Sequence, residues 1–253
     1  MFIDTHGHLT RQYADSADAV IKRANDAGVG IIVCPTAEPD DIPEALNIAR
    51  THKNIFCTIG LHPDFADTVA NAGDFLTDTV LQNEKVIGVG EIGLDYHMGD
   101  DNKKNQIKLF ADQLEIAQQY DLPVAIHTRD AEEDTAQILT TKNYGVLHCF
   151  TSSWWLAKIM LDRGFYFSAS GILTFKNAGD IRDVFAKIPN DRIVIETDSP
   201  YCAPVPYRGK TCEPAFVVET AKMLAEIKKL QLDELESILK ENTSRLYPKM
   251  KLI

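Results

Sequence analysis

The sequence sets His6 and His8 one residue apart in MFIDTHGHLT, with Asp4 the same step of two before them. On a β-strand, residues i and i+2 point to one face, so Asp4, His6 and His8 would stand in a row. Imidazole and carboxylate together suit Zn²⁺, Mn²⁺, Fe²⁺ or Ni²⁺. The chain has seven histidines. All but His52 fall at or just beyond the end of a short apolar run: His6, His8, His62, His97, His127 and His148. Glu91 in VGEIGLD and Asp198 in IETDSP occupy further run ends. His52, in the helical stretch IARTHKN, is assigned to the surface. Whether the others meet depends on the elements that carry them.

The apolar runs, rich in Val and Ile, span 2–6, 30–36, 56–62, 86–95, 123–128, 145–150, 165–171 and 192–198. Amphipathic segments such as 14–28, 104–121 and 152–164 separate them. Strand–helix alternation repeated eight times predicts parallel strands with crossover helices. In 253 residues this indicates a TIM (β/α)8 barrel, one domain over 1–253, with a doubly wound open sheet as the alternative. Gly28, Gly145 and Gly164 read as helix stops. After a loop carrying Pro204, Pro206, Gly209 and Pro214, two helices are expected, 215–230 and 233–244, covering the barrel's outside. Active sites of such barrels form at the C-terminal ends of the strands, where residues distant in sequence converge. Five or six histidines on one rim are hard to explain as packing, since a buried imidazole needs a partner. The row at His6 and His8 then reads as one side of a metal site.

A net charge of −11 and a pI near 5.1 argue against a broad basic surface for duplex nucleic acid. They leave room for a phosphate met locally by cations. With 45% hydrophobic residues, there is ample material for a core. The five cysteines form no C-x-x-C pair and read as reduced thiols, Cys34, Cys57 and Cys149 as small hydrophobes in apolar runs. No leader pattern opens the chain, and no apolar run approaches ~18 residues. The expectation is a cytoplasmic protein whose N-terminus, with its two histidines, stays intact. Neither membrane association nor an obligate protein partner is expected.

With these residues assembled, the chain resembles the TatD family of metal-dependent hydrolases, within the amidohydrolase-like barrels. The likeness runs over essentially the whole chain and rests on IDTHGHL, IGLHP (59–63), VGEIGLDYH (89–97), PVAIHTRDA (123–131), VLHCFT (146–151), ETDSPY (196–201), RGK..EP and ENTSRLY (241–247). The resemblance implies two divalent ions (Zn, Mn, Mg, Ni or Fe). His6, His8 and Asp198 would bind one, His127 and His148 the other, and Glu91 would bridge both. A carboxylate has two oxygens and can span ions roughly 3.5–4 Å apart, so the ligand types agree. TSSWW lacks the glycine that often follows LHCFT, and Cys212 stands where asparagine is more usual. Neither departure touches a ligand, so any consequence would fall on the substrate side.

Glu91 sits between Gly90 and Gly93 in an otherwise apolar run, where a charge must be paired or coordinated. Asp198 could cap a helix, but Ser199-Pro200 makes a turn, which favours ligation with a proton-handling role. Asp130 is expected to cap the following helix. Glu196 reads either as an acid behind the ligands, pairing Arg129, or as a structural ion pair. Asp4 is a supporting or core residue. His62 is expected to face substrate, and His97 is open. Arg129, Tyr201 and Arg208 are candidates for phosphate contact, since guanidinium forks match phosphate geometry. Loop anchoring is the rival for Arg208. Trp154 and Trp155 read as helix core.

The leading function is metal-assisted phosphodiester hydrolysis, with Asp198 and Glu91 as catalytic residues. The resemblance implies DNA 3′ ends as substrate, an exonuclease-type deoxyribonuclease. The alternative is an amide, lactone or cyclic ester on the same barrel, since fold alone does not choose the bond. A metal-carrying binding protein without turnover is the third reading.

Overall fold

The computed structural model describes residues 1–10, 13, 15–99 and 101–250. Eight strands follow in order: β1 (Phe2–Asp4), β2 (Val29–Pro35), β3 (Ile55–Thr58), β4 (Val86–Asp95), β5 (Val124–Arg129), β6 (Gly145–Leu147), β7 (Tyr166–Ala169) and β8 (Ile193–Ile195). Each pairs in parallel with the next. The cylinder closes just beyond β1 and β8. There Thr5 N–H donates to Ile195 O (3.0 Å), Asp198 N–H to His6 O (2.8 Å) and His8 N–H to Ser199 O (2.9 Å). The closure takes in the ends of both candidate ligand segments. The architecture is the TIM barrel expected, and the open-sheet alternative falls.

The helices are α1 (Ala17–Asp26), α2 (Asp41–Thr51), α3 (Asp78–Leu81), α4 (Lys103–Gln119), α5 (Glu132–Ile138), α6 (Trp154–Asp162), α7 (Gly179–Lys187), α8 (Val217–Lys228) and α9 (Leu232–Leu246). Ser16 and Ser153 cap α1 and α6, accepting from Ala19 N–H and Leu156 N–H at 3.4 Å each. Such caps contribute on the order of 1 kcal/mol. Ala14, at the start of the expected segment 14–28, lies outside the described residues. Among the described residues, no helix is long and apolar enough to cross a membrane.

Strand alternation divides the core in two. Ile3, Ile31, Val33, Phe56, Ile87, Val146 and Val194 fill the barrel interior. Their neighbours Phe2, Val29, Ile32, Cys34 and Val86 pack outward under the helices. Leu246, Tyr247 and Met250 join the interior cluster, so the chain after α9 plugs the barrel's N-terminal end as well as covering its outside. That plug leaves the C-terminal end as the open mouth.

Three expectations need correction. Gly28 and Gly164 do follow helices at φ 86° and 83°, but Gly145 is the first residue of β6. Its missing side chain matters there because a Cβ would come within 2.0 Å of Val124 O on β5. Asp130 does not cap α5, whose N-cap position is Ala131. Trp154 packs against the core, but Trp155 is half-exposed.

Candidate metal centre

Glu91 reaches the barrel axis through an irregularity in β4. Val89 pairs with Val124 and Ile92 with Ile126, so three steps on β4 match two on β5. The extra residue is a bulge, a device that re-aims a side chain beside a site. Gly93 completes it at φ 146°, where a Cβ would meet His127 O at 2.0 Å. The glycine lets β4 lie against the backbone that presents His127.

The two oxygens of Glu91 face different imidazoles. Oε1 lies 2.9 Å from His127 Nδ1 and 2.8 Å from His148 Nε2. Oε2 lies 3.4 Å from His6 Nε2 and 3.6 Å from His8 Nε2. Asp198 Oδ1 is 3.9 Å from both His6 and His8. His6 and His8 face Glu91 together, but not as a strand row with Asp4: β1 ends at Asp4, and both histidines lie on the irregular chain beyond it. Asp4 stands behind them, fully buried, accepting from Thr197 N–H (2.9 Å) and Thr197 O–H (2.6 Å). Burial pushes its carboxyl up to about 8 against those bonds.

Carboxylates also hold the far sides of two rings. His127 Nε2 lies 2.9 Å from Asp95 Oδ2, and His148 Nδ1 lies 3.3 Å from Glu196 Oε1. Such outer partners orient metal-ligating imidazoles and raise their basicity. Burial disfavours a charged imidazole at His148, yet Glu91 and Glu196 outweigh it and hold the ring well above its usual range. His127 is raised likewise, against burial, by Asp95 and Glu91. His6 moves the other way, lowered by burial and by the His148 charge. Burial would raise Glu91, but His148 and His62 with the bonds from His127 and His148 keep its carboxyl well below the usual value.

The donor set fits divalent cations. His6 Nε2 is buried with no hydrogen-bond partner, although it points toward Glu91 and Asp198. A buried polar atom left so would be costly unless a cation took its lone pair. Among the described residues, two of the five triads with donor atoms close enough to share an ion match the expected ligands: His6, His8, Asp198 and Glu91, His127, His148.

A cavity of about 620 Å³ opens over this cluster. His62, Arg129 and Tyr201 line it. His62 Nε2 comes within 3.6 Å of Glu91 Oε1. Arg208 is not among the lining residues; its guanidinium stacks 3.7 Å over the Phe175 ring. His97 pairs with Asp130 (2.9 Å) on the exposed rim. Glu196 does not pair Arg129, because it is fully buried under His148 while Arg129 stands at the exposed end of β5. His52 bonds Asp18 (2.9 Å) at the surface, as read. The sequence reading assigned no role to Asp95. The signal was present in VGEIGLD, where the burial argument made for Glu91 applies again four residues later.

The profile of the family described as TatD related DNase matches residues 3–248. The chain belongs to that family. Relatives include the metal-dependent hydrolase YabD of Bacillus subtilis, 38% identical over 252 residues that cover 98% of this chain and 99% of that one. YcfH of Escherichia coli K12, also named a metal-dependent hydrolase, is 34% identical over 253 residues, 97% of this chain and 95% of that one. The crystal structure of YjjV, a TatD homolog from Escherichia coli K12, superposes with a TM-score of 0.90 at 30% identity, covering 98% of both chains. This TatD-family barrel is thus a metal-dependent hydrolase, with its metal-capable groups at the open mouth.

Proposed function

We propose that the protein hydrolyses phosphodiester bonds at DNA 3′ ends, using two divalent cations, one held by His6, His8 and Asp198, the other by His127 and His148, with Glu91 shared. The observation that carries this reading is the division of Glu91, one oxygen toward each imidazole pair. Bound there, the cation pair supplies Lewis acidity toward a phosphoryl oxygen and brings the pKa of water toward neutrality.

The chain's own groups do the rest. Asp198 orients the attacking water and takes its proton at the carboxylate. Arg129 and Tyr201 hold the phosphate from the rim, and His62 closes the side nearest Glu91. Asp95 and Glu196 keep His127 and His148 turned toward the centre. A cavity of about 620 Å³ is the size of a small-molecule site, suited to a terminal nucleotide. The acidic chain favours a strand end, which needs few backbone contacts, over a wrapped duplex. In this reading residues 1–253 work as one domain in the cytoplasm, consistent with five free thiols.

The test compares a 3′-labelled single-stranded oligodeoxynucleotide, the matching oligoribonucleotide, bis(p-nitrophenyl) phosphate, and amide and lactone panels, each with Mn²⁺, Zn²⁺ or Mg²⁺. Metal-dependent loss of 3′-terminal nucleotides is expected. Turnover confined to amides or lactones would overturn the reading.

A further inference from the structure

Two thiols lie in the same cavity, and the proposed hydrolysis uses neither. Cys149 follows His148 beyond β6, and Cys202 follows Tyr201 beyond β8. Both adopt left-handed backbone conformations, φ 40° and 54°, a region unfavourable for residues with a Cβ. Cys149 is held by its N–H donating to Glu196 Oε1 at 2.6 Å. The result is convergence: Cys149 Sγ, Cys202 Sγ and an Asp198 oxygen all lie within 4.8 Å of one another. The remaining cysteines, Cys34, Cys57 and Cys212, are fully buried elsewhere.

Tetrahedral coordination by two thiolates and a carboxylate needs donors about 3.5–3.8 Å apart, within reach of small side-chain movements. This donor set is soft, unlike the nitrogen and oxygen set around Glu91, and selects thiophilic cations. Asp198 faces both sets, Oδ1 toward His6 and His8, and Oδ2 3.6 Å from Cys202 Sγ. We propose that Cys149, Cys202 and Asp198 form a separate site for a thiophilic divalent cation, of the Cd²⁺ or Zn²⁺ class, which draws Asp198 away from His6 and His8 and slows hydrolysis. Binding releases one proton from each thiol to solvent and changes no oxidation state. The slowing rests on the phosphodiesterase reading; the binding does not.

The experiment loads the protein with two equivalents of Mn²⁺ under a phosphine reductant and titrates Cd²⁺. Sulfur-to-cadmium charge-transfer absorption and bis(p-nitrophenyl) phosphate turnover are read together. Wild type should take up one further equivalent with the absorption band and lose turnover in step. Cys202→Ser and Cys202→Ala should lose the band, weaken Cd²⁺ binding by about tenfold or more, and escape the inhibition, each measured against its own Mn²⁺-loaded rate. No band in wild type, or a band unchanged in both variants, overturns the site. Inhibition that persists in the variants places the cation at the Glu91 centre and overturns the sharing of Asp198. A band in a protein that turns over no phosphodiester keeps the site and sinks the phosphodiesterase reading, whereas Mn²⁺-dependent turnover without a band does the reverse.

Discussion

The two halves of the centre are built differently. On the β5–β6 side, His127 and His148 approach Glu91 at 2.9 and 2.8 Å, and each has a carboxylate on its far nitrogen. On the β1–β8 side, His6 and His8 stand 3.4 and 3.6 Å from Glu91, and among the described residues the carboxylates that pair with these rings all face Nε2, the side of Glu91 and Asp198. Outer carboxylates fix ring orientation and strengthen the ligand. The first half is thus preorganised for tight binding. The second depends on the cation itself to draw its groups together, and its carboxylate, Asp198, also faces Cys202. On the proposed two-cation reading, one cation should be held firmly and the other should exchange.

Removing the group common to both halves should have the largest effect. Glu91→Ala should lower kcat/KM on bis(p-nitrophenyl) phosphate by at least about 10³-fold, the several kcal/mol attributable to a cation pair. Metal content measured on the same sample should fall below two equivalents. Wild-type turnover in this variant would break the comparison at its centre.

Asp95→Asn and Glu196→Gln sharpen it. Each should weaken the tighter cation by about 10–100-fold in competition with a chelator, leaving the circular dichroism spectrum intact. If the tight and weak classes of site stay separated as in wild type, the outer carboxylates do not cause the difference.

In the metal-free protein, acidity acts on His148 and on the shared Glu91 in opposite directions. Burial opposes charge on His148, but Glu91 and Glu196 hold its folded pKa well above 6.5. The folded state then binds more protons than the unfolded chain as pH rises past 6.5, so this contribution is present below that pH and lost above it. Glu91, against burial, is held well below 4.5, so its contribution is present above 4.5 and lost on acidification. The thermal midpoint of the metal-free protein should therefore peak between 4.5 and 6.5. Loading with Mn²⁺ or Zn²⁺ should remove the alkaline decline, because the cation takes the place of the protons. A decline that is the same with and without metal would separate His148 from the site.

The smallest effect belongs to the rim. Arg129→Ala should raise KM several-fold with little change in kcat, as expected for loss of uniform substrate binding. Arg208→Ala should change KM by less than about twofold, since its guanidinium is engaged with Phe175. Equal effects from the two arginines would bring Arg208 back to the phosphate.

Much of this was legible before any coordinates. The eight apolar runs became eight strands, and His6, His8 and His148 lie just beyond strand ends, because residue type and periodicity are local properties; His127 lies inside β5 and Glu91, expected at a run end, in the middle of β4. The misreadings were of partners. Asp130 looked like a cap and pairs with His97; Glu196 does lie behind a proposed ligand, but under His148 and not beside Arg129; Arg208, read as a phosphate contact or a loop anchor, stacks on Phe175. Each answer depends on which segment lies alongside, and chain order does not carry that.

Composition and spacing were enough to specify donor types, strand count and the end of the barrel at which the donors gather. The bulge that turns Glu91 inward, the backbone closure joining His6 and His8 to Asp198, and the left-handed turns at Cys149 and Cys202 came only with the folded chain. These features arise from register between strands, set by pairing over long separations and by packing against neighbours.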